Sequence, residues 1–380
     1  MSRKPITFDS DAIQQQRQRQ VGRALRIGLL LAVLAALLGV SAFFYFRLHA
    51  EETAARTRLR TFAELRTSTV ERFFASLAQE TALWANQKSL RDTARRYITA
   101  WRHLSPPERA TLRRMLASAN QQQGASLPFP HGDAVNAYLA LHRETQENLR
   151  AFAHHHGYHN IYFFTPEGDM AFALNKHADF GLNFAINGSI HAGSHLGQAF
   201  QRALRLISPG QAVFEDFSVY PPAGKRPVMF FASPMLELEG AKVGVYAVEI
   251  GIERLNAIFA GDTGLGRSVA IYAIGPDMLF RNDMPEAEKP TALRRRSRMP
   301  FLKKVLAGEE VVTRWRGPDG IEKVVIALPL KQADANWAIV TEMALSEMRK
   351  PYRPHAWLWG ASILLILLLG GMQLWLLRRQ

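Results

Sequence analysis

The chain of 380 residues contains no cysteine. Disulfide bonds, thiolate metal sites and cysteine nucleophiles are therefore all excluded. The absence says nothing about the compartment, because a chain of this length can bury a core that needs no covalent cross-links.

Acidic residues are also in short supply. Asp and Glu number 33 against 47 Lys and Arg, which gives a formal net charge of +14. Such a charge can favour nucleic-acid binding, but its placement argues against that partner. One group of cations precedes a hydrophobic run near the N terminus, and another lies late in the chain. We expect the late group to form a solvated face or to contact anionic headgroups; it comprises Arg294, Arg295, Arg296, Arg298, Lys303 and Lys304.

No catalytic pattern stands out. Gly264-Leu265-Gly266 lacks the spacing and the strand–turn–helix context of a nucleotide-binding loop. Glu215 and Asp216 are adjacent, so in a strand their side chains would point to opposite faces. We therefore predict that the protein is not an enzyme and that it uses no cofactor.

Two long uncharged hydrophobic runs bracket the chain, at residues 27–46 and 356–377. Each has about 20 residues, enough to cross the bilayer core as a helix. Basic residues precede the first run and follow the second, which favours a cytoplasmic location for both termini. We predict a bacterial inner-membrane protein with a cytoplasmic tail at 1–26, spans at 27–46 and 356–377, a cytoplasmic end at 378–380 and a periplasmic bulk. A cleaved signal peptide ending near residue 42 is the alternative, but the tail before the run is long for one.

The predicted periplasmic segment begins helical and then becomes strand-like. A long helix from Glu51 to Trp84 carries apolar residues at three- and four-residue steps. We expect Leu59, Phe62, Phe73 and Leu77 on this helix to pair with a second copy of the chain. Further helices are predicted after Ser105 and at 134–156, with a loop at 120–130 between them. Strands are predicted at 160–165, 170–174, 212–219, 227–236 and 242–250 and, after a helix at 253–260, at 268–274, 278–281, 309–316, 322–330 and 335–342.

Several stretches in this order resemble a known family. They are 157–164 (GYHNIYFF), 167–169 (EGD), 176–181 (KHADFG), 214–217 (FEDF), 220–221 (YP), 230–234 (FFASP), 264–266 (GLG), Tyr272, 275–277 (GPD), 337–339 (WAI) and 346–347 (SE). Over about residues 48–350 the chain is similar to the double Cache (PDC-type) sensor domain of bacterial chemoreceptors, sensor kinases and nucleotide cyclases. The Arg-Trp-Tyr signature of the amino-acid-binding branch is absent, which argues against an amino-acid ligand.

The resemblance implies an α+β fold. Two PAS-like antiparallel-sheet modules would lie on a long N-terminal helix, flanked by two transmembrane helices. The membrane-distal module, with the long helix, would span 47–250 and the membrane-proximal module 251–350. A ligand pocket of the distal module should combine apolar walls with a few polar groups. The candidates are Tyr162, Phe172, Lys176, Asp179, Asp216, Tyr220, Phe230 and Ser233.

Charge divides these candidates. Lys176 would suit a carboxylate ligand, whereas Asp179 or Asp216 would suit an amine. The alternative is that the aromatic residues form the core and the polar ones cap turns. His191 and His195, four residues apart, are weak candidates for a metal site.

We hypothesise a homodimeric membrane sensor that binds a small molecule or a ligand-loaded periplasmic protein. Because only three residues follow the second run, the output is expected from a partner in trans or from an output domain missing from this chain. A structural scaffold, such as a polysaccharide chain-length regulator, is the alternative hypothesis. A scaffold of that kind would have a mostly helical loop, whereas a sensor would have two sheets. A periplasmic enzyme held by two anchors is a third possibility, without a catalytic constellation to support it.

Overall fold

The computed structural model describes residues 10–121, 132–237, 239–261, 264–284, 287–331, 334–349 and 353–379. The loop predicted at 120–130 falls outside these ranges except for its first two residues, which end a helix. The chain forms a mixed fold of helices and two antiparallel sheets. The helices are α1 (Ser10–Asn86), α2 (Lys88–His103), α3 (Pro106–Gln121), α4 (Asp133–His156), α5 (His195–Arg205), α6 (Glu253–Phe259), α7 (Leu302–Leu306), α8 (Leu345–Met348) and α9 (Arg353–Arg379).

Helix α1 is longer than the predicted helix at 51–84, because it is continuous from Ser10 to Asn86. Its buried side chains recur at three- and four-residue steps, as expected for one face of a helix packed on a core. Leu59 and Leu77 are buried within the chain, and Phe62 and Phe73 are half-buried against its core. The residues predicted to face a second copy are therefore covered, wholly or partly, by their own fold.

Two helices of the described residues have the length and apolar composition needed to cross a membrane. They are the part of α1 from Gln20 onward and the stretch Trp357–Leu376 of α9. The chain divides into two compact units, one made of residues 60–315 with 324–342 and one made of the remaining residues. Both sheets lie largely in the first unit.

The first sheet has five strands in the order β2-β1-β5-β4-β3. The β1–β2, β1–β5, β4–β5 and β3–β4 pairs are antiparallel, and the strands match the predicted segments closely. One face packs on helices, where Phe163 lies against Tyr97 of α2 and Phe231 against Phe74 of α1. The other face packs on α5 through Phe164. The strands are β1 (Asn160–Phe164), β2 (Met170–Ala173), β3 (Val213–Tyr220), β4 (Arg226–Leu236) and β5 (Lys242–Gly251).

The second sheet has four strands in the order β6-β9-β8-β7. The short helix α7 covers one of its faces with Leu302 and Val305. The strand predicted at 278–281 is wrong: these residues form only the isolated bridges Ile274–Phe280 and Leu279–Arg296. The strands are β6 (Ala270–Ile274), β7 (Val311–Arg316), β8 (Glu322–Pro329) and β9 (Ala338–Ala344).

Candidate functional site

A buried glutamate lies in the middle of the first sheet. Glu249 of β5 is paired in register with Asn160 of β1 on one side and with Phe230 of β4 on the other. Side chains alternate between the faces of a sheet, so Glu249 points away from the face that Tyr246 and Val248 present to the helices. Glu249 is 1% exposed. A carboxylate held at this depth needs partners, since an isolated buried charge is costly.

Two tyrosines bring a second carboxylate to the same place. The hydroxyl of Tyr162 donates to Oε2 of Glu249 at 2.5 Å, and the hydroxyl of Tyr220 donates to Oδ2 of Asp179 at 2.5 Å. The ring of Phe230 lies 5.2 Å from that of Tyr220 and 6.5 Å from that of Tyr162. We call these five residues the Tyr–carboxylate cluster. All five are buried.

Burial controls the protonation of the cluster. It raises the pKa of Glu249 to about 7; the Tyr162 hydrogen bond and the positive charge of Arg226 oppose this rise, and the negative charge of Asp179 adds to it. Burial also raises the pKa of Asp179, against the hydrogen bond from Tyr220 and the charges of His177 and His191. The two carboxyl groups therefore resist being ionised together, which is the usual behaviour of neighbouring acids in a desolvated site.

One atom of the cluster has no partner within the described residues. Oε1 of Glu249 is buried and receives no hydrogen bond. Leaving a buried acceptor unpaired costs about 1–3 kcal/mol, and more when the group is charged. Such an atom in a native structure calls for an explanation, and a ligand that donates to it is one.

The segment that carries Asp179 also forms the wall of a cleft. The cleft has a volume of about 320 Å³ and is lined by Ala110, Arg113, Arg114, His177, Ala178 and Phe180. Nε of Arg113 donates to the carbonyl oxygen of Phe180 at 2.8 Å, which fixes this wall to α3. Gly181 has a φ of +70° and packs so closely on Trp101 and Arg113 that a Cβ atom would clash. Residues 177–181 are therefore held in one conformation between the cleft and the cluster.

The eight residues predicted to line a pocket separate into groups. Tyr162, Asp179, Tyr220 and Phe230 meet in the cluster. Phe172 lies on the opposite, helix-covered face, where its ring stacks on that of Phe163 at 5.0 Å.

Lys176 is also placed away from the cluster. Its Nζ contacts Nε2 of His142 in α4 and donates to the carbonyl oxygen of Leu174 at 3.2 Å. Burial, assisted by the charge of Arg150, lowers the pKa of Lys176 to about 7. Burial and nearby cations, Lys176 first among them, lower the pKa of His142 to about 3.

Asp216 and Ser233 make structural contacts within the chain. Both carboxylate oxygens of Asp216 accept hydrogen bonds from the guanidinium of Arg281, the shortest at 2.8 Å. Oγ of Ser233 donates to the carbonyl oxygen of Gln211 at 2.7 Å. Neither side chain is shown in contact with the cluster.

The two histidines considered for a metal do not come together with further ligands. Nδ1 of His195, the first residue of α5, lies 2.8 Å from the carbonyl oxygen of Asp216. His191 lies beside the ring of Phe184, at 5.6 Å. Throughout the described part of the chain, no group of three or more His, Asp or Glu side chains is arranged to hold a metal ion.

Sequence reasoning missed Glu249, although a signal was present. The stretch Val243–Ile250 is a strand of otherwise apolar residues, and a lone acid within a fully buried strand is unusual. The second sheet repeats the arrangement: Glu342 of β9 pairs with Ala270 of β6, and the Tyr272 hydroxyl donates to its Oε2 at 2.9 Å. In both sheets the tyrosine stands two residues after the position paired with the glutamate. The Tyr272–Glu342 pair is therefore the internal counterpart of the Tyr162–Glu249 pair.

Comparisons with known proteins find similarity to sensory domains. No family model and no curated protein sequence matches the chain. The ligand-binding domain of the Campylobacter jejuni chemoreceptor Tlp3, crystallised with 4-methylisoleucine, is 12% identical; the match covers 79% of this chain and 94% of that one, with a TM-score of 0.49. The sensor domain of the V. cholerae histidine kinase DctB is 13% identical, over 78% of this chain and 98% of that one, with a TM-score of 0.45. The first of these solved structures is a chemoreceptor ligand-binding domain, and the second is a histidine-kinase sensor domain.

Proposed function

We propose that the protein is a membrane-anchored sensor that binds a small cation carrying a primary ammonium group at the Tyr–carboxylate cluster. The observation that carries the proposal is the buried Oε1 of Glu249, which has no hydrogen-bond partner among the residues that the structure describes. A primary ammonium has three donor hydrogens and a positive charge. It would supply the missing donor and would compensate the charge of the two carboxyl groups.

The charge balance of the cluster supports a cationic ligand. Among the described residues, neither Asp179 nor Glu249 takes part in an ion pair. Tyr162 and Tyr220 are neutral donors, because burial and the adjacent carboxylates raise the pKa of both hydroxyl groups. Phe230 adds an aromatic wall, which suits an aliphatic chain or a cation over its face. A carboxylate or phosphate ligand would meet charge of its own sign.

The two antiparallel sheets support the sensor over the scaffold. A polysaccharide chain-length regulator would be mostly helical between its two membrane helices, whereas this chain has two sheets in that segment. The two candidate membrane helices, α1 from Gln20 and Trp357–Leu376, are consistent with an anchor at each end of the sensor segment. In this proposal the bulk of the chain is periplasmic, with a distal module at 47–250 and a proximal module at 251–350. A homodimer would pass the signal to a partner in trans or to an output domain.

A thermal-unfolding screen of the full chain in detergent tests the ligand class. The probes are n-butylamine and 1,4-diaminobutane, with 1-butanol as the neutral counterpart of the first. We expect the amines to raise the unfolding temperature by a few degrees at about 100 times their dissociation constant, and the alcohol to have no effect.

Two matched variants assign the effect to the cluster. Glu249→Gln should abolish the shift given by the amines, because the amide has no charge for the ammonium to neutralise. Glu342→Gln removes the counterpart carboxylate in the second sheet and should leave the shift intact. Equal shifts in all three proteins, or a shift with 1-butanol equal to that with n-butylamine, would contradict the proposal.

A further inference from the structure

A dense group of cations lies on the surface beside the second sheet. Arg294, Arg295, Arg296, Arg298, Lys303 and Lys304 are all exposed and fall within eleven residues. None of the six is in an ion pair with a carboxylate of the described residues; the guanidinium of Arg295 instead lies 5.3 Å from the centroid of the Phe280 ring. Like charges crowded together on a surface repel one another, so the group lowers its free energy by meeting an anionic partner.

The segment that carries the arginines is fixed by backbone hydrogen bonds. The amide of Phe280 donates to the carbonyl oxygen of Arg295 at 3.1 Å. The amide of Ser297 donates to the carbonyl oxygen of Met278 at 2.8 Å. The amide of Leu293 donates to the carbonyl oxygen of Phe280 at 2.8 Å. These bonds tie residues 293–297 to residues 278–280, so the cations are displayed from an ordered surface.

Two aromatic side chains accompany the cations. Phe301, immediately before α7, lies edge to face with Trp315 of β7, with 6.2 Å between ring centroids. Both residues are half-exposed. Lys303 and Lys304 follow Phe301 directly on α7, and Arg298 precedes it by three residues. We call the six cations with these two rings the basic–aromatic surface.

We infer that the basic–aromatic surface binds the anionic headgroups of a lipid bilayer. Each Lys or Arg near an anionic leaflet adds attraction, and half-exposed Trp and Phe rings suit the region between headgroups and acyl chains. Nucleic acids and acidic proteins would use the charges equally well, and bases could also stack on Phe301 and Trp315, so the rings by themselves do not select lipid. The chain also has two helices that are long and apolar enough to cross a membrane, and this favours a bilayer as the partner. The inference is independent of the ligand proposed for the Tyr–carboxylate cluster.

The test uses the full chain in lipid nanodiscs and measures amide hydrogen exchange of residues 293–306. One set of discs contains only zwitterionic phosphatidylcholine, and the other contains about one third phosphatidylglycerol. We expect exchange in this segment to slow several-fold in the anionic discs and the difference to disappear in 0.5 M salt, where the Debye length is about 4 Å.

Charge reversal assigns the protection to these cations. The triple variant R294E/R296E/R298E should lose the lipid-dependent protection. The control variant R72E/K88E/R205E changes three exposed cations elsewhere and should keep it. Phe301→Ser keeps all six charges and should reduce the protection, because the surface loses an inserted ring. The unfolding temperature of each variant without ligand serves as its folding check, so the test does not depend on the ligand site.

Two results would overturn the inference. Equal exchange of residues 293–306 in the two kinds of disc would exclude binding to anionic lipid. Protection by soluble polyphosphate in phosphatidylcholine discs, without protection by phosphatidylglycerol, would assign the surface to an acidic macromolecule instead.

Discussion

At the scale of single residues, Glu249 decides the chemistry of the site. Its environment combines almost complete burial, one tyrosine donor and a second carboxyl group nearby. The substitution Glu249→Gln separates the charge from the other features of this environment. Gln keeps the size of the side chain and one acceptor oxygen but carries no charge. The same residue therefore makes a prediction about stability as well as about binding.

Glu249→Gln should change the pH dependence of stability in the absence of ligand. The folded-state pKa of Glu249 is about 7, above its ordinary value of 4.5, so folding retains a proton that the unfolded chain loses between these values. Wild-type stability therefore falls as the pH rises from about 4.5 to 7, by up to roughly 3 kcal/mol at about 1.4 kcal/mol per pKa unit. Urea unfolding of the full chain should show the variant to be more stable than wild type at pH 8 and closely similar at pH 4.5. A constant difference at the two pH values would contradict this account.

Lys176 should behave in the opposite direction. Burial lowers its folded-state pKa to about 7, so the folded protein binds fewer protons than the unfolded chain between about pH 7 and 10.5. Wild-type stability therefore rises with pH in this window. Below about pH 7 the buried, charged Lys176 destabilises the folded state by its full amount. Lys176→Met should be more stable than wild type at pH 6, and the gain should shrink by pH 9.5. Lys88→Met, which changes an exposed lysine, is the control and should show no such trend. A gain in the stability of Lys176→Met that does not vary with pH would show that packing, not charge, is responsible.

At the scale of elements, β3 joins the candidate site to the rest of its unit. Tyr220 at the end of this strand holds Asp179, and a register irregularity lies between Glu215 and Ser218. Asp216, within that irregularity, pairs with Arg281, and Phe217 stacks on Trp337 next to β9. A displacement of β3 on ligand binding would therefore also change its contacts with Arg281 and Trp337.

Arg281 is the strongest of these contacts. Its side chain is 3% exposed and pairs with both Asp216 and Asp277. Arg281→Met would leave two carboxylates, 22% and 43% exposed, without their cation, so the loss should exceed that of a surface pair but stay below the loss of about 3–5 kcal/mol for a fully buried one. Arg102→Met is the control, because Arg102 pairs with Glu167 and both side chains are at least half exposed. Its removal should cost about 1 kcal/mol. Urea unfolding of both variants measures the difference, and equal losses would show that burial of the Arg281 pair is unimportant.

The elements were predictable where the pattern is local. Apolar runs between turn signals located every strand of the first sheet, and Gly168, with a φ of +97°, provides the turn between β1 and β2. Helix α2 was not predicted, although Leu90, Ala94, Tyr97, Ile98 and Trp101 recur at helical spacing. The segment 278–281 resembles a strand because it follows a tight turn, but Met278 has a φ of +64° and pairing stops after two isolated bridges.

At the scale of the whole molecule, the site depends on pairings between residues far apart in sequence. Tyr162 and Glu249 are separated by 87 positions, and Asp179 and Tyr220 by 41. Sequence pattern indicated Tyr162, Asp179, Tyr220 and Phe230 as candidates, and it marked Glu249 only as a lone acid in an apolar strand, without linking it to these four residues. Only the register of β1 against β5 places this carboxylate beside them. The same lack of register information left Phe172 and Lys176 in the predicted set, although they lie away from the cluster.

The central claim is that the Tyr–carboxylate cluster binds an ammonium ligand, and calorimetric titration of the full chain with n-butylamine at pH 8 tests it most directly. The account predicts one site per chain in the wild type and in Glu342→Gln, with binding lost in Glu249→Gln and weakened at least tenfold in Asp179→Asn. Each chain should also release protons on binding below pH 7, since the ammonium displaces the proton that Glu249 holds below its pKa of about 7. Binding of n-butylamine with unchanged affinity in Glu249→Gln and Asp179→Asn would contradict the account.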